Sequence, residues 1–370
     1  MYLRGNEWEY LKACLDSGWI SSAGAFTAQF EQAVAAYTGA SCAVAVSSGT
    51  AALHLGLLSL GAGPGDYVIT SNLTYVATAN AIRYTGAEPI FVDIDAAAWQ
   101  MDLALLEEFL HTRTELRDTG CHLRSDGRRI ACLLPVHALG WTGDLEVLMR
   151  IAAAYRLPVL EDAADAMGAR FAGRHVGTFG QAGCLSFNGN KIITAAAGGM
   201  VLTSDPELAR RAHHLSVQAK AAPEDYFHDD TGYNYRMPAL LAALGMAQLE
   251  QLDSILALKR ALAARYAAEL GPLEAQFPDI PPACASNHWL VTVMSPQRDR
   301  LLKTLQAAGQ AARPVWWPLN RLPMFQDAPY ISRQDQAYAV HRQALSLPSD
   351  PDLSEADFQA VIRAFQAAKA

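Results

Sequence analysis

Basic blocks are missing from this 370-residue sequence: 29 lysines and arginines face 37 acidic residues, for a formal net charge of −8. A nucleic-acid partner needs a basic stripe to neutralise its phosphates, so the balance argues against that class, and any phosphate bound must be held by local donors. Cysteine is sparse. Cys14, Cys42, Cys121, Cys132, Cys184 and Cys284 stand apart, with no C-x-x-C pair and no histidine at ligand spacing. That predicts buried free thiols in a reducing cytosol instead of a zinc site or a disulfide framework. No apolar run approaches the roughly 18 to 20 residues of a membrane span. The opening stretch MYLRGNEWEYLKACLD mixes acids and aromatics with apolar residues, unlike a signal peptide. The expectation is a soluble, cytoplasmic protein without nucleic-acid, metal or membrane partners.

What is present is an ordinary globular composition, 51% hydrophobic and 18% charged, ample for a large core and a smaller second unit. Short runs rich in β-branched residues at 66–70, 89–93, 130–136, 158–160, 184–187 and 200–203 alternate with helical stretches such as 51–60 and 144–155. This is an α/β pattern, a mostly parallel sheet with helices on both faces, and ligands in such sheets bind where strands end and helices begin. From about residue 238 the texture changes to long helices at 240–256 and 259–270, short strands at 289–294 and 314–317, and a final helix at 355–368. Residues 16–237 are therefore expected to form a large domain. Residues 1–15 and 238–370 are expected to form a small α+β domain.

Three strand ends concentrate the chemistry. Ser47-Ser48-Gly49-Thr50 precedes a helical run, and such a turn presents amide N–H groups and hydroxyls to an anion, or serves as a plain N-cap. At Glu161-Asp162-Ala163-Ala164-Asp165 an apolar strand runs into acids that are costly to desolvate without a cationic partner. An acid placed there can keep the pyridine nitrogen of pyridoxal phosphate (PLP) protonated; metal ligation is the rival reading. In Ser186-Phe187-Asn188-Gly189-Asn190-Lys191 the lysine follows a strand among glycine and apolar residues. It suits a Schiff-base amine, or is a loop lysine at the surface.

Together with A-T-A-N-A-I at 77–82, G-A-E-P-I-F-V-D at 86–93, P-V-H-A-L-G at 135–140 and G-Y-N-Y-R-M at 232–237, these blocks resemble the DegT/DnrJ/EryC1/StrS sugar aminotransferases, which have the fold-type I PLP architecture. Within that family the N-terminal stretch at 5–22, V-Q-A-K at 217–220 and R-P-V-W-W-P-L at 313–319 look like the branch that aminates UDP-linked 4-keto-6-deoxy-N-acetylhexosamines for bacillosamine and legionaminic acid. Alternatives are a GDP-linked keto sugar, a keto-cyclitol, or a non-catalytic PLP-binding regulator.

The resemblance implies a homodimer with shared active sites, a nucleotide-sugar substrate and an amino-acid donor, with glutamate expected. It implies a Schiff base between PLP and Lys191, and Asp162 on the ring nitrogen. It places Tyr75 on the ring face, Ser48, Gly49, Thr50, Ser186 and Asn188 around the cofactor, and Asn234 on the phosphate of the neighbouring subunit. Asp165 stands where the family usually carries a longer Gln, His or Glu, and Asn320 where relatives often have histidine. Ser22, His137, Lys220, Arg236, Trp316 and Asn320 are substrate candidates. For His137 a backbone-satisfied strand end competes with that role, and for Trp316 and Trp317 ordinary core packing does.

Overall fold

The computed structural model describes residues 2–222 and 225–369. Its centre is a curved sheet in two runs. One has the order Cys42–Val46, Gly199–Thr203, Ala182–Ser186, Leu160–Asp162. The other has the order Tyr330–Ile331, Glu88–Val92, Tyr67–Ser71, Arg129–Leu134 and ends in the hairpin Thr114–Arg117 and Gly120–Leu123. Parallel bridges from Leu133 to Val159 and from Val136 to Asp162 join the two runs. Gly199–Thr203 is antiparallel to both of its neighbours, while Ala182–Ser186 runs parallel to Leu160–Asp162. Every residue of Tyr67–Ser71, Ala182–Ser186 and Gly199–Thr203 is buried, as expected of strands covered on both faces.

The six strands predicted for the large sheet are all found, their bounds displaced by a residue or two. The segment at 158–160 is realised as Leu160–Asp162, which carries both acids into the sheet. The A-V alternation of Cys42–Val46 forms a further strand that the sequence reading passed over. Helix Gly49–Ser59 is buried along most of its length and approaches the sheet closely: a Cβ on Gly56 would lie 2.8 Å from Leu160 Cδ1.

Helix Ala239–Glu250 packs on Glu7–Asp16 and Ala25–Thr38, and Gly245 gives the Phe30 ring its seat, since a Cβ there would come within 2.7 Å of it. The expected break after residue 256 falls instead at Gln251, between Ala239–Glu250 and Leu252–Leu270. That turn contains neither glycine nor proline, so composition does not mark it. Helix Leu252–Leu270 spans two cores. Leu252, Ile255 and Leu256 join Phe30, Phe187 and Met237, whereas Leu262, Tyr266 and Leu270 pack with Val293, Leu345, Phe358 and Phe365. The C-terminal strands Thr292–Met294 and Arg313–Pro314 flank Ala344–Ser346, shorter than the predicted 289–294 and 314–317. Among the described residues no helix is long and apolar enough to cross a membrane. The cysteines are free; Cys42 is half-buried and the other five are buried.

Candidate active site

The strand ends converge on a cleft of ≈ 620 Å³, a size suited to a cofactor with part of a substrate. Ser48, Gly49, Thr50, Tyr75, Asp162, Asp165, Ser186, Asn188, Lys191 and Trp316 all line it. One wall is the first turn of helix Gly49–Ser59, whose leading amides have no intrahelical acceptor. Ser48 Oγ accepts from Ala51 N at 3.0 Å, so this hydroxyl is also the N-cap. A Cβ on Gly49 would lie 2.8 Å from Ser186 Cβ, which is why the turn takes glycine there and leaves a tight, amide-lined cradle. Such a cradle holds an anion without any lysine.

Two neighbouring acids at the end of Leu160–Asp162 have opposite surroundings. Glu161 is fully buried and points away from the cleft, accepting from His137 Nε2 at 2.8 Å and from the amides of Gly177 (2.8 Å), Phe179 (2.6 Å) and Gly180 (2.7 Å). Burial pushes its carboxyl up, but the His137 hydrogen bond and charge, with the Gly180 and Gly177 amides, outweigh that and hold it below the usual carboxylate range. Among the described residues the Asp162 carboxylate accepts from just two donors, the Thr78 hydroxyl at 2.7 Å and the Ala164 amide at 3.1 Å. Burial raises its carboxyl; Thr78 opposes the rise, nearby Asp165 adds to it, and Ala164 and Lys191 offset it only in part. A buried, under-compensated carboxylate facing a cleft suits a cationic heterocycle.

The contrast makes Glu161 a stability residue. Glu161→Gln keeps the shape but turns one acceptor into a donor facing donors, and is expected to cost about 2–4 kcal/mol at neutral pH. A carboxyl with a depressed folded pKa contributes stability above its unfolded pKa and loses it as pH falls through the folded value. Urea denaturation should therefore show the gap between wild type and variant closing below about pH 4. An equal gap at both pH values would contradict the reading.

Lys191 follows strand Ala182–Ser186 in a loop closed by Lys191 N to Asn188 O at 3.0 Å and Ala195 N to Phe187 O at 2.9 Å. Its Nζ meets the Asp165 carboxylate and lies 4.5 Å from the centroid of the Trp289 ring. Asp165 also accepts from Leu139 N at 3.3 Å, and its backbone carbonyl is held by Asn287 Nδ2 at 2.8 Å. Asn287 fits because residue 140 is glycine: φ is +98°, and a Cβ there would lie 1.9 Å from Asn287 Oδ1. The short Asp165 side chain thus reaches the lysine directly.

Several substrate candidates lie elsewhere. His137 is buried and committed to Glu161, so it does not face the cleft. Arg236 is held by Glu31, with Nη2 to Oε2 at 3.0 Å, and by Ala45 O at 3.0 Å. Asn320 exchanges hydrogen bonds with Asn72, at 2.9 and 3.0 Å. Lys220 lies over the Tyr226 ring at 4.8 Å. None of these four lines this cleft, and neither do Ser22 and Asn234, both exposed. Trp317 is 54% exposed and packs at a tilt on His341; of the two only Trp316 forms a wall, stacked on Trp289. His214 pairs with Asp229 at 2.6 Å, and His228 with Gln218 O at 2.7 Å. Thr78, Trp289, Asn287 and Arg313 are site residues to which the sequence reading assigned no role. Thr78 lies inside a motif block, while nothing local marks Trp289 or Asn287.

Comparison with known proteins agrees with this geometry. GDP-perosamine synthase of Caulobacter vibrioides is 37% identical over 371 residues, spanning 98% of this chain and 95% of the relative. GDP-perosamine synthase of Escherichia coli O157:H7 is 39% identical over 355 residues, spanning 95% and 92%. Among solved structures, S. venezuelae DesV in complex with a ketimine intermediate superposes with a TM-score of 0.88 at 33% identity, covering 99% of this chain and 95% of DesV. A DegT DnrJ EryC1 StrS aminotransferase from Brucella abortus gives 0.90 at 26%, covering 98% and 95%. The architecture is fold-type I and the cofactor is PLP. The DegT/DnrJ/EryC1/StrS aminotransferase family model matches residues 2–366, and the chain belongs to that family.

Proposed function

We propose that this aminotransferase converts a nucleotide-linked 4-keto-6-deoxy sugar to its 4-amino sugar, with GDP as the nucleotide and glutamate as the donor. The observation that carries it is the juxtaposition of Lys191, Asp165 and Asp162 in one cleft with an anion cradle. The UDP expectation gives way to GDP because the named relatives above are GDP-perosamine synthases.

When bound, PLP supplies an electron sink that lets an amino group pass between two carbon skeletons. The residues fit it: the Gly49 and Thr50 amides with Ser186 would hold the phosphate, Asp162 the ring nitrogen and Tyr75 the ring face, with Asn188 beside it. Lys191 Nζ provides the Schiff-base nitrogen and moves the proton at the reacting carbon, while Asp165 orients Nζ in place of the family's longer side chain. Trp316 and Trp289, stacked on each other, wall one side of the cleft.

Incubating the enzyme with GDP- and UDP-linked 4-keto-6-deoxy sugars plus glutamate, with products read by mass, tests the reading. The GDP sugar should be used with kcat/KM at least about tenfold higher, worth ~1.4 kcal/mol of transition-state binding. A UDP preference would restore the sequence expectation, and an enzyme that stays yellow with every amino acid would be a binding protein.

We further propose the dimer with shared sites, supported by Asn234 being exposed and outside its own cleft. Mixing Lys191→Ala with Asn234→Ala subunits should then restore part of the activity, because one site of each mixed dimer carries neither lesion. No recovery despite demonstrated subunit exchange would put Asn234 in its own subunit's site.

A further inference from the structure

Away from the cleft, a groove of ≈ 280 Å³ opens between helix Leu252–Leu270 and the segment carrying Phe277 and Ile280. The helix turns residues 260, 263, 264 and 267 to it, one face at i, i+3, i+4 and i+7, and after Arg260 that face is alanine alone. Larger side chains at those three positions would fill the space. Trp141, Phe277, Ile280 and Leu290 give the groove apolar walls, and among the described residues its lining includes no acid. Two lining residues are basic. Arg260 is exposed, and among the described residues its guanidinium has no hydrogen bond, ion pair or ring partner. His288 is half-buried, and its ring has none either. Burial, with the positive charges of Arg260 and Lys259, holds that ring below the usual histidine range, so it stands as a neutral hydrogen-bonding group beside a permanent cation.

We propose that this groove is a second ligand site, taking a small carboxylate with an aromatic or branched apolar body. The walls select the body and the basic pair selects the head. A guanidinium adds geometry to charge, because its planar fork takes a carboxylate through two parallel N–H···O bonds. A sugar phosphate would leave the apolar walls without a partner, and a hydrocarbon would leave the basic pair unanswered, so the groove asks for both parts in one molecule. In a chain of net charge −8, an acid-free lining with a free arginine is also the exception that draws an anion to this face. The site is distinct from the cleft, which neither Arg260 nor His288 lines. His288 holds a φ of +49°, and the chain turns there: its own ring lines the groove while the next side chain, Trp289, lines the cleft.

Calorimetric titration of the PLP-loaded enzyme with 3-phenylpropionate tests the site, with 3-phenylpropanamide as the uncharged control. The carboxylate should bind saturably with a Kd of about 1 mM or tighter, and the amide at least about tenfold more weakly. Arg260→Gln should bring the carboxylate down to the level of the amide, which separates the charge from the walls. Ala264→Phe, at an exposed position on the alanine face, fills the groove and should abolish binding of both. His288→Asn accepts the left-handed backbone but shortens the side chain, and should weaken the carboxylate about threefold. Melting temperatures within about two degrees of wild type establish that each surface variant is folded. Three results overturn the proposal: no saturation by about 10 mM, equal binding of acid and amide, or wild-type binding by both Arg260→Gln and Ala264→Phe. The last would lodge the probe outside the groove, the main cleft included, since neither residue lines that cleft.

Discussion

Lys191→Ala is expected to lower turnover by about a thousandfold or more, because one atom, Nζ, is asked both to hold the cofactor and to move the proton. Among the described residues no second amine is placed to take over. Lys259 is fixed on two carbonyls, and Arg313 cannot be deprotonated at working pH. The stability cost is of a different size. Removing the ammonium leaves Asp165 without its partner, on the order of 1–3 kcal/mol, against a typical total of about 5–15. The protein should therefore still fold, bind PLP non-covalently and lack the visible absorbance of the lysine-linked cofactor. Lys191→Arg separates the two effects, since it keeps a cation beside Asp165 but cannot form the linkage. It should melt nearer wild type than Lys191→Ala does and be equally inactive. Substantial transamination in either variant would remove Lys191 from its role.

How much of this was legible depended on where the chemistry sits along the chain. The cradle, the acids and the lysine each occupy a few consecutive residues at a strand end, so the neighbours that make them useful are adjacent in sequence. Nine of the ten cofactor residues named from the sequence, at 48–50, 75, 162, 165, 186, 188 and 191, line one cleft together with Trp316, whereas Asn234, expected from the neighbouring subunit, does not. The misses come from pairings across hundreds of positions. Arg236 looked available until the fold brought Glu31 to it, 205 residues away, and Asn320 until it met Asn72, 248 away. His137 was open between two readings because its partner lies on the next strand and points out of the cleft. Trp289 enters from beyond the long helices, in a segment whose aromatic character reads as core.

The fold was legible where periodicity and turn chemistry agreed. Asp144 caps Leu145–Ala154 through the Val147 amide at 3.0 Å, in line with the predicted helix start. The break at Gln251 and the hairpin Thr114–Arg117 and Gly120–Leu123 were not legible, the first for lack of a breaker and the second because its strands are short and partly exposed.

Asp162→Asn is expected to separate activity from stability in opposite directions. In the chain alone the carboxyl is raised by burial, with Thr78 and Ala164 compensating only in part, so an ionised Asp162 is a cost carried by the fold. A group whose folded pKa lies above its unfolded one contributes stability in acid and loses it as pH rises through the folded value. The amide has no such titration. Cofactor-free Asp162→Asn should therefore melt at or above the wild-type temperature at neutral pH, with the difference shrinking towards acid. Activity should move the other way. In the proposed function the same carboxylate holds a protonated ring nitrogen, and loss of a preorganised electrostatic partner typically costs about 10²–10³ in kcat. Thermal melts across pH and single-turnover rates on the loaded enzyme test both halves. A variant that is destabilised when cofactor-free at neutral pH would make Asp162 a structural acid like Glu161. Near-normal turnover would pass the ring nitrogen to Asp165, whose carboxylate is already engaged by Lys191.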